Sequence, residues 1–243
     1  MSEFLNKIVI VTGGFQGNGL SICENFIKNG AKVYSIDKKF KKNKKIGNLT
    51  KIKAEVNNFK MIKKIINNIG KKEKKIDILV NNAGISEKFS GKNLLNHWNK
   101  TLSINLTAPY FISYMCLPFL KKTKHSSIVN ITSLNGKIAM SKNPAYNASK
   151  GGLSALSASL AMDFADFNIR VNGISPGYIQ TGMTNKSFNN NKAFKERLDR
   201  MMIKNYGSPQ DVANAVLFLS SLKSKYINAT EIVVDGGFLK KGI

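Results

Sequence analysis

Strand-length apolar runs alternate with helix-length amphipathic stretches from one end of the chain to the other, and this alternation limits the available folds more than any other feature. Strands that are apolar on both faces and separated by helices belong to a parallel sheet covered on each side. The runs Ile8–Thr12, Lys32–Ile36, Lys51–Val56, Ile76–Val80, Ser127–Ile131, Arg170–Ile174 and Ile232–Val234 are rich in β-branched residues and bounded by Gly, Asn or Asp, which predicts seven strands. Helical stretches between them include Leu20–Asn29, closed by Gly30, and Tyr146–Phe164. A length of 243 residues suits one large α/β domain or two small ones, but no linker, repeat or low-complexity boundary divides the chain. The expectation is a single catalytic domain over 1–243, an α/β three-layer sandwich with a seven-stranded parallel sheet.

The N-terminus, MSEFLNKIVIVTGG, has no basic segment leading into a long apolar run, and the reading is a cytoplasmic protein without a membrane span. Cys23 and Cys116 lie in apolar contexts with no Cys-x-x-Cys pair, so buried reduced thiols are expected and no metal site. A formal charge of +24 invites a polyanion partner. All but three of the 38 cations are lysine, however, the poorer residue for bidentate phosphate recognition, and they are spread along the chain. Abundant Lys, Asn and Ile also fit a codon bias acting on solvated positions, and no specific nucleic acid is expected.

The first strand runs directly into Gly13-Gly-Phe-Gln-Gly-Asn-Gly19 and then a helix. Glycines 13, 17 and 19 fall where a backbone turns tightly beneath a pyrophosphate, and the helix N-terminus would bind that anion. Taken alone, such a turn is also an ordinary strand–turn–helix connection. Asp37 ends the second strand eighteen residues after Gly19, close to the offset at which a carboxylate meets the adenosine ribose. That favours NAD, since the carboxylate would repel a 2′-phosphate. Lys38 and Lys39 could neutralise the NADP phosphate if Asp37 swung aside.

Tyr146 and Lys150 are four residues apart at the start of a helical stretch and therefore share a helix face. A phenol with pKa near 10 is a poor base at neutral pH, and a fixed ammonium beside it favours the phenolate. Ser133, thirteen residues upstream of Tyr146 and just after a strand, could donate a hydrogen bond to a substrate oxygen. In a Lys-rich chain, a Tyr-x-x-x-Lys pair without the glycine turn would be weak evidence.

Together these segments, with Asn81-Asn-Ala-Gly84, Asn105, Pro176-Gly177 and Asp235-Gly-Gly237, resemble the short-chain dehydrogenase/reductase family along the whole chain. The resemblance implies a Rossmann-like fold and a catalytic tetrad of Asn105, Ser133, Tyr146 and Lys150. In that tetrad the Asn105 carbonyl binds a relay water; from the sequence alone Asn105 is a polar residue inside a helix. The resemblance implies cofactor contacts from the turn residues Gly13, Phe15, Gln16, Gly17, Asn18 and Gly19, and from Asp37, Glu55 and Val56. It adds Asn82, Ala83 and Gly84, then Tyr146 and Lys150, and Pro176, Gly177, Ile179 and Thr181 near the carboxamide. Glu55 replaces a usual aspartate, and Asn18 a usual isoleucine. The family further implies a homotetramer assembled through paired long helices and the C-terminal strand region, for which the apolar stretch Ala108–Leu120 suits an interface helix. Trp98 is expected in core or interface packing, and His97 and His125 at the surface.

The leading functional expectation is hydride transfer between a nicotinamide and a secondary alcohol or ketone of a small metabolite, such as a sugar, polyol or hydroxy acid, with Tyr146 as general acid/base. One alternative resembles the NADPH-dependent 3-oxoacyl-[acyl-carrier-protein] reductases, whose acidic protein partner suits a basic surface. A cofactor-sensing protein on the same fold, without catalysis, is another. Segments Lys38–Lys45 and Met183–Asn205 are expected to be mobile surface pieces, the second a lid over substrate. Its cations Lys186, Lys192, Lys195, Arg197, Arg200 and Lys204 could attract an anion or form a solvated helix face.

Overall fold

A computed structural model describes residues 3–87, 91, 93–139, 141, 143–182 and 191–241. Strands β1 (Ile8–Thr12), β2 (Lys32–Ile36), β3 (Lys44–Ile46), β4 (Leu49–Ile52), β5 (Ile78–Asn81), β6 (Ser126–Ile131), β7 (Ile169–Pro176) and β8 (Glu231–Val234) form one sheet in the order β3-β4-β2-β1-β5-β6-β7-β8. Every neighbouring pair is parallel except β3 with β4.

Alternation along β1 builds both halves of the core. Ile8 and Ile10 face α2 (Phe59–Glu73), α4 (Ala108–Leu120) and α5 (Pro144–Asp163), where Ile62, Ile66, Ile112, Leu120 and Leu160 complete the packing. Val9 and Val11 face the opposite layer, made with Ile22, Cys23 and Phe26 of α1 (Gly17–Lys28) and Val212, Val216 and Leu219 of a helix at Pro209–Ser220. Both cysteines are buried and unpaired in these layers, as expected. The third helix in chain order, α3 (Leu94–Leu102), continues through a π-helical turn, Ser103–Thr107, into α4.

The sheet has eight strands rather than seven. The additional one, Lys44–Ile46, is exposed throughout and so carries no hydrophobic alternation to betray it; it also gives fixed structure to part of the Lys38–Lys45 segment expected to be mobile. The third expected strand, Lys51–Val56, is displaced toward the N-terminus: pairing with β2 covers Leu49–Ile52, after which Ala54 and Val56 stay buried but leave the ladder. Helix α1 starts at Gly17, three residues before the expected Leu20. Trp98 is not a core residue, since 39% of its surface on α3 is exposed. Of the expected lid, residues 183–190 lie outside the described residues; α6 (Asn191–Arg200) and the segment to Asn205 follow. The Pro209–Ser220 helix is α7.

Strand order reverses between β1 and β5, the place where an open α/β sheet leaves a crevice beyond the carboxyl ends of its strands. The turns after β1, β2, β4, β5, β6 and β7 all open there.

Candidate active site

A cleft of about 560 Å³ occupies that crevice. At one end lies the turn from β1 into α1. Gly13 has φ +71°, and a Cβ on it would lie 2.8 Å from the Ala83 Cα. A Cβ on Gly19 would lie 2.1 Å from the Gly13 carbonyl oxygen, so the turn can fold back on itself only with glycine there. Thr12 and Asn82 lock it: the Asn82 Nδ2 donates to the carbonyls of Thr12 and Gly13 at 3.0 Å each, and Thr12 Oγ1 accepts from the backbone N–H groups of Asn82 and Ala83 at 3.1 Å each.

Helix α1 then presents its N-terminus to the cleft with no acidic residue in its first turn and no side-chain cap from Gln16. Its first amides are thus left for an anionic ligand. The Asn18 side-chain oxygen, an acceptor buried here without a hydrogen-bond partner, adds nothing to this set, and the donors toward an anion are the backbone amides. A dinucleotide pyrophosphate fits this donor set.

Asp37 closes the same end. Its two oxygens accept from different backbone amides, Phe15 N–H at 3.1 Å and Lys39 N–H at 2.8 Å. The neighbouring lysines are engaged elsewhere, Lys39 donating to Gln16 Oε1 at 3.1 Å and Lys38 lying 3.9 Å from Glu55. The Phe15 side chain does not line the cleft but sits 41% exposed, edge-on to Phe40 at 5.6 Å, while its backbone N–H holds Asp37. Gly13, Gln16, Gly17, Asn18, Gly19, Asp37, Glu55, Val56, Asn82, Ala83, Gly84, Pro176, Gly177, Ile179 and Thr181 all line the cleft.

Ser133, Tyr146 and Lys150 line its far end. Burial pushes the Tyr146 pKa above the ordinary phenol value, and the neighbouring Ser133 hydroxyl opposes that rise. Lys150 is buried, with Nζ 5.9 Å from the Tyr146 ring centroid and donating to the Ile131 carbonyl at 2.7 Å. Burial lowers its pKa to about 8, against the raising effect of the Glu231 carboxylate. Asn105 stands behind the cleft wall in the π-helical turn: its Oδ1 accepts from Ile85 N–H at 2.9 Å, and its Nδ2 donates to the Ile85 carbonyl at 2.9 Å and Ser149 Oγ at 3.0 Å. A Cβ on Gly84 would lie 3.4 Å from Asn105 Oδ1 and 3.6 Å from Lys150 Nζ, so only a side-chain-free position separates them.

Two residues near this centre escape a sequence reading. Thr132, immediately before Ser133, lies with Oγ1 2.6 Å from Glu231 Oε1, and Lys137 approaches the same carboxylate at 3.5 Å. Nothing in the spacing of Thr132 and Glu231 announces a contact across 99 residues of chain.

Residues 13–239 match the family model described as Enoyl-(Acyl carrier protein) reductase. The 3-oxoacyl-[acyl-carrier-protein] reductase of Chlamydia pneumoniae is 37% identical, over 96% of this chain and 97% of its own. The cyclopentanol dehydrogenase of Comamonas testosteroni is 30% identical, over 98% and 99%. Among solved structures, the aldohexose dehydrogenase of Thermoplasma acidophilum superposes with a TM-score of 0.91 at 31% identity, covering 99% of this chain and 97% of that one. A glycine turn at a strand-order reversal, a Ser–Tyr–Lys cluster facing it and likeness along nearly the whole chain have one explanation: the chain belongs to the short-chain dehydrogenase/reductase family, nicotinamide-dependent oxidoreductases of CH–OH groups and the matching carbonyls.

Proposed function

We propose that the chain is an NAD-dependent dehydrogenase/reductase of a secondary alcohol or ketone in a small cytoplasmic metabolite, working as one catalytic domain in a homotetramer. The observation that carries this is the Ser133–Tyr146–Lys150 cluster at one end of a cleft whose other end is closed by Asp37. A nicotinamide bound between them supplies the hydride acceptor or donor. Ser133 holds the substrate oxygen, and Tyr146 Oη takes the hydroxyl proton in oxidation and returns it in reduction. The Lys150 ammonium, 5.9 Å from the tyrosine ring centroid, favours the phenolate. Asn105 holds the wall behind Lys150 and, by family likeness, the relay water at its carbonyl.

Support for NAD over NADP comes from Asp37. Both of its oxygens are held by backbone amides, so turning it away from a 2′-phosphate would break two hydrogen bonds, and the lysines that could neutralise the phosphate are already engaged. Support for the cytoplasm comes from the two buried, unpaired cysteines.

A second reading, a 3-oxoacyl-[acyl-carrier-protein] reductase, is favoured by the 37% identical relative and by the +24 charge, which suits an acidic carrier. Titration with NADH and NADPH, followed by turnover at the nicotinamide absorbance, separates the two. Tighter NADH binding is expected; tighter NADPH binding with turnover of carrier-bound thioesters would install the second reading. Tyr146→Phe is expected to lower turnover by about 10²- to 10⁴-fold with NADH affinity retained, and a variant that still turns over would remove Tyr146 as the acid/base.

A further inference from the structure

Glu231 is the acidic residue of an otherwise apolar strand, β8. Ile232 and Val234 pack into the layer of α1 and α7, whereas the Glu231 side chain, 13% exposed, goes to the other face. Parallel pairing sets Glu231 beside Gly173 of β7. A Cβ on Gly173 would lie 2.9 Å from the Glu231 Cγ, so the glycine lets the glutamate lie across β7 and reach the end of β6. There its two oxygens take different partners: Oε1 accepts from Thr132 Oγ1 at 2.6 Å, and Oε2 lies 3.5 Å from Lys137 Nζ.

Thr132 and Lys137 flank the segment that carries Ser133. Between them the chain makes one 3₁₀ turn, Leu134–Gly136, in which the Gly136 N–H donates to the Ser133 carbonyl at 3.0 Å and the Lys137 N–H to the Leu134 carbonyl at 2.8 Å. So short a turn has few bonds of its own to fix its direction. It lies against α5, since a Cβ on Gly136 would come within 2.9 Å of the Lys150 carbonyl. Both of its ends are held by the one carboxylate. Glu231 does not line the cleft, so any part it takes in the reaction runs through the residues it holds.

We infer that Glu231 is a positioning residue for Ser133: its carboxylate, reaching across β7, clamps both ends of the turn that bears the serine and so sets where the substrate oxygen is held. This inference rests on the oxidoreductase reading above. A group that orients a reacting atom must be held closely, because a displacement of about 1 Å costs on the order of 10²-fold in rate. The same carboxylate also favours the ammonium of Lys150, raising its pKa against the effect of burial. The clamp can be removed without stranding a polar group. Thr132 Oγ1 keeps the Ile174 carbonyl at 2.8 Å as an acceptor, and Lys137, with 35% of its side chain exposed, turns to water.

The test compares Glu231→Val, Lys137→Met and the double variant with the wild-type protein. Valine suits a strand, and Lys137→Met opens one end of the clamp from the surface should the first variant fail to fold. Hydrogen exchange in residues 132–138 of the cofactor-free protein, read by mass spectrometry, is expected to quicken in each variant. Reduction of cyclohexanone, ethyl acetoacetate and D-fructose is followed with whichever of NADH and NADPH binds. In Glu231→Val, kcat is expected to fall about ten- to a hundredfold with the KM for the cofactor unchanged, a split that general destabilisation does not give. Lys137→Met should act in the same direction and cost nothing further once residue 231 is valine, since both open one clamp. Unchanged exchange, additive losses, or faster exchange with kcat unchanged would each overturn the inference; if none of the three ketones turns over, the exchange result decides alone. Failure of the wild type to bind either cofactor, read by nicotinamide fluorescence, overturns the oxidoreductase reading and this role with it, whereas unchanged exchange in a protein that binds cofactor removes the role of Glu231 alone.

Discussion

Lys150 is where function and stability oppose each other. Its ammonium is buried, and its pKa of about 8 in the folded chain lies below the ordinary 10.5. Between those two values the unfolded chain binds more protons than the folded one, so this residue's contribution to stability improves as pH rises through that window and is most unfavourable below about 8. Lys150→Met is therefore expected to raise the melting temperature of the cofactor-free protein at pH 7, with at most about 3 kcal/mol available from the shift and the lost bond to the Ile131 carbonyl set against it. The gain should vanish near pH 10.5, and catalysis should be lost throughout. A lower melting temperature at pH 7 would mean that the Ile131 bond outweighs the buried charge. At the opposite end of the cleft, Asp37→Ala is expected to narrow the preference for NADH over NADPH by about tenfold, or 1.4 kcal/mol, measured by parallel titrations. An unchanged ratio would mean that another group discriminates. That Asp37, Tyr146 and Lys150 line one cleft was legible in the sequence, because the chemistry expected of them demands particular residue types at particular spacings. The Thr132–Glu231 contact was not, since threonine and glutamate occur anywhere and only the sheet brings these two together.

Among elements, the π-helical turn Ser103–Thr107 does most to join the halves of the site. A widened turn breaks the ordinary helical ladder, and here it directs the Asn105 side chain onto the loop after β5 and onto α5 together. Asn105→Ala removes three hydrogen bonds from a fully buried side chain and leaves the Ile85 amide and carbonyl unpaired. A loss of about 2 kcal/mol or more is expected, read from urea unfolding, with Lys150-dependent activity falling further than stability alone explains. A stability loss below about 0.5 kcal/mol would show that the loop finds other partners. No sequence pattern announces a π-turn, because the apolar spacing on either side is that of an ordinary helix. Most strands were legible because both faces of their residues are buried. The edge strand Lys44–Ile46 was hidden for the opposite reason, exposed at every residue and made mostly of lysine.

At the scale of the whole molecule, two surface features compete. Helix α4 exposes Tyr110, Phe111 and Tyr114 as a contiguous aromatic face, with ring centroids 5.0–5.2 Å apart, while each chain carries +24. Burying the aromatic face favours assembly, and the like charges oppose it over a screening length of about 8 Å at physiological salt. Sedimentation at physiological salt is expected to give the mass of four chains and to shift toward smaller species as salt is withdrawn. A monomer at every salt concentration would refute the assembly. The two ends of the sheet differ in the same way. The lysines of β3 guard one edge, while β8 leaves the other with Val233 39% exposed. Any foreign strand, from a destabilised copy or an extended peptide, meets a closed border on one side and an open one on the other. Misassembly of this protein therefore has a direction, and a single added charge at Val233 should do more to keep concentrated stocks clear than any change along the β3 edge.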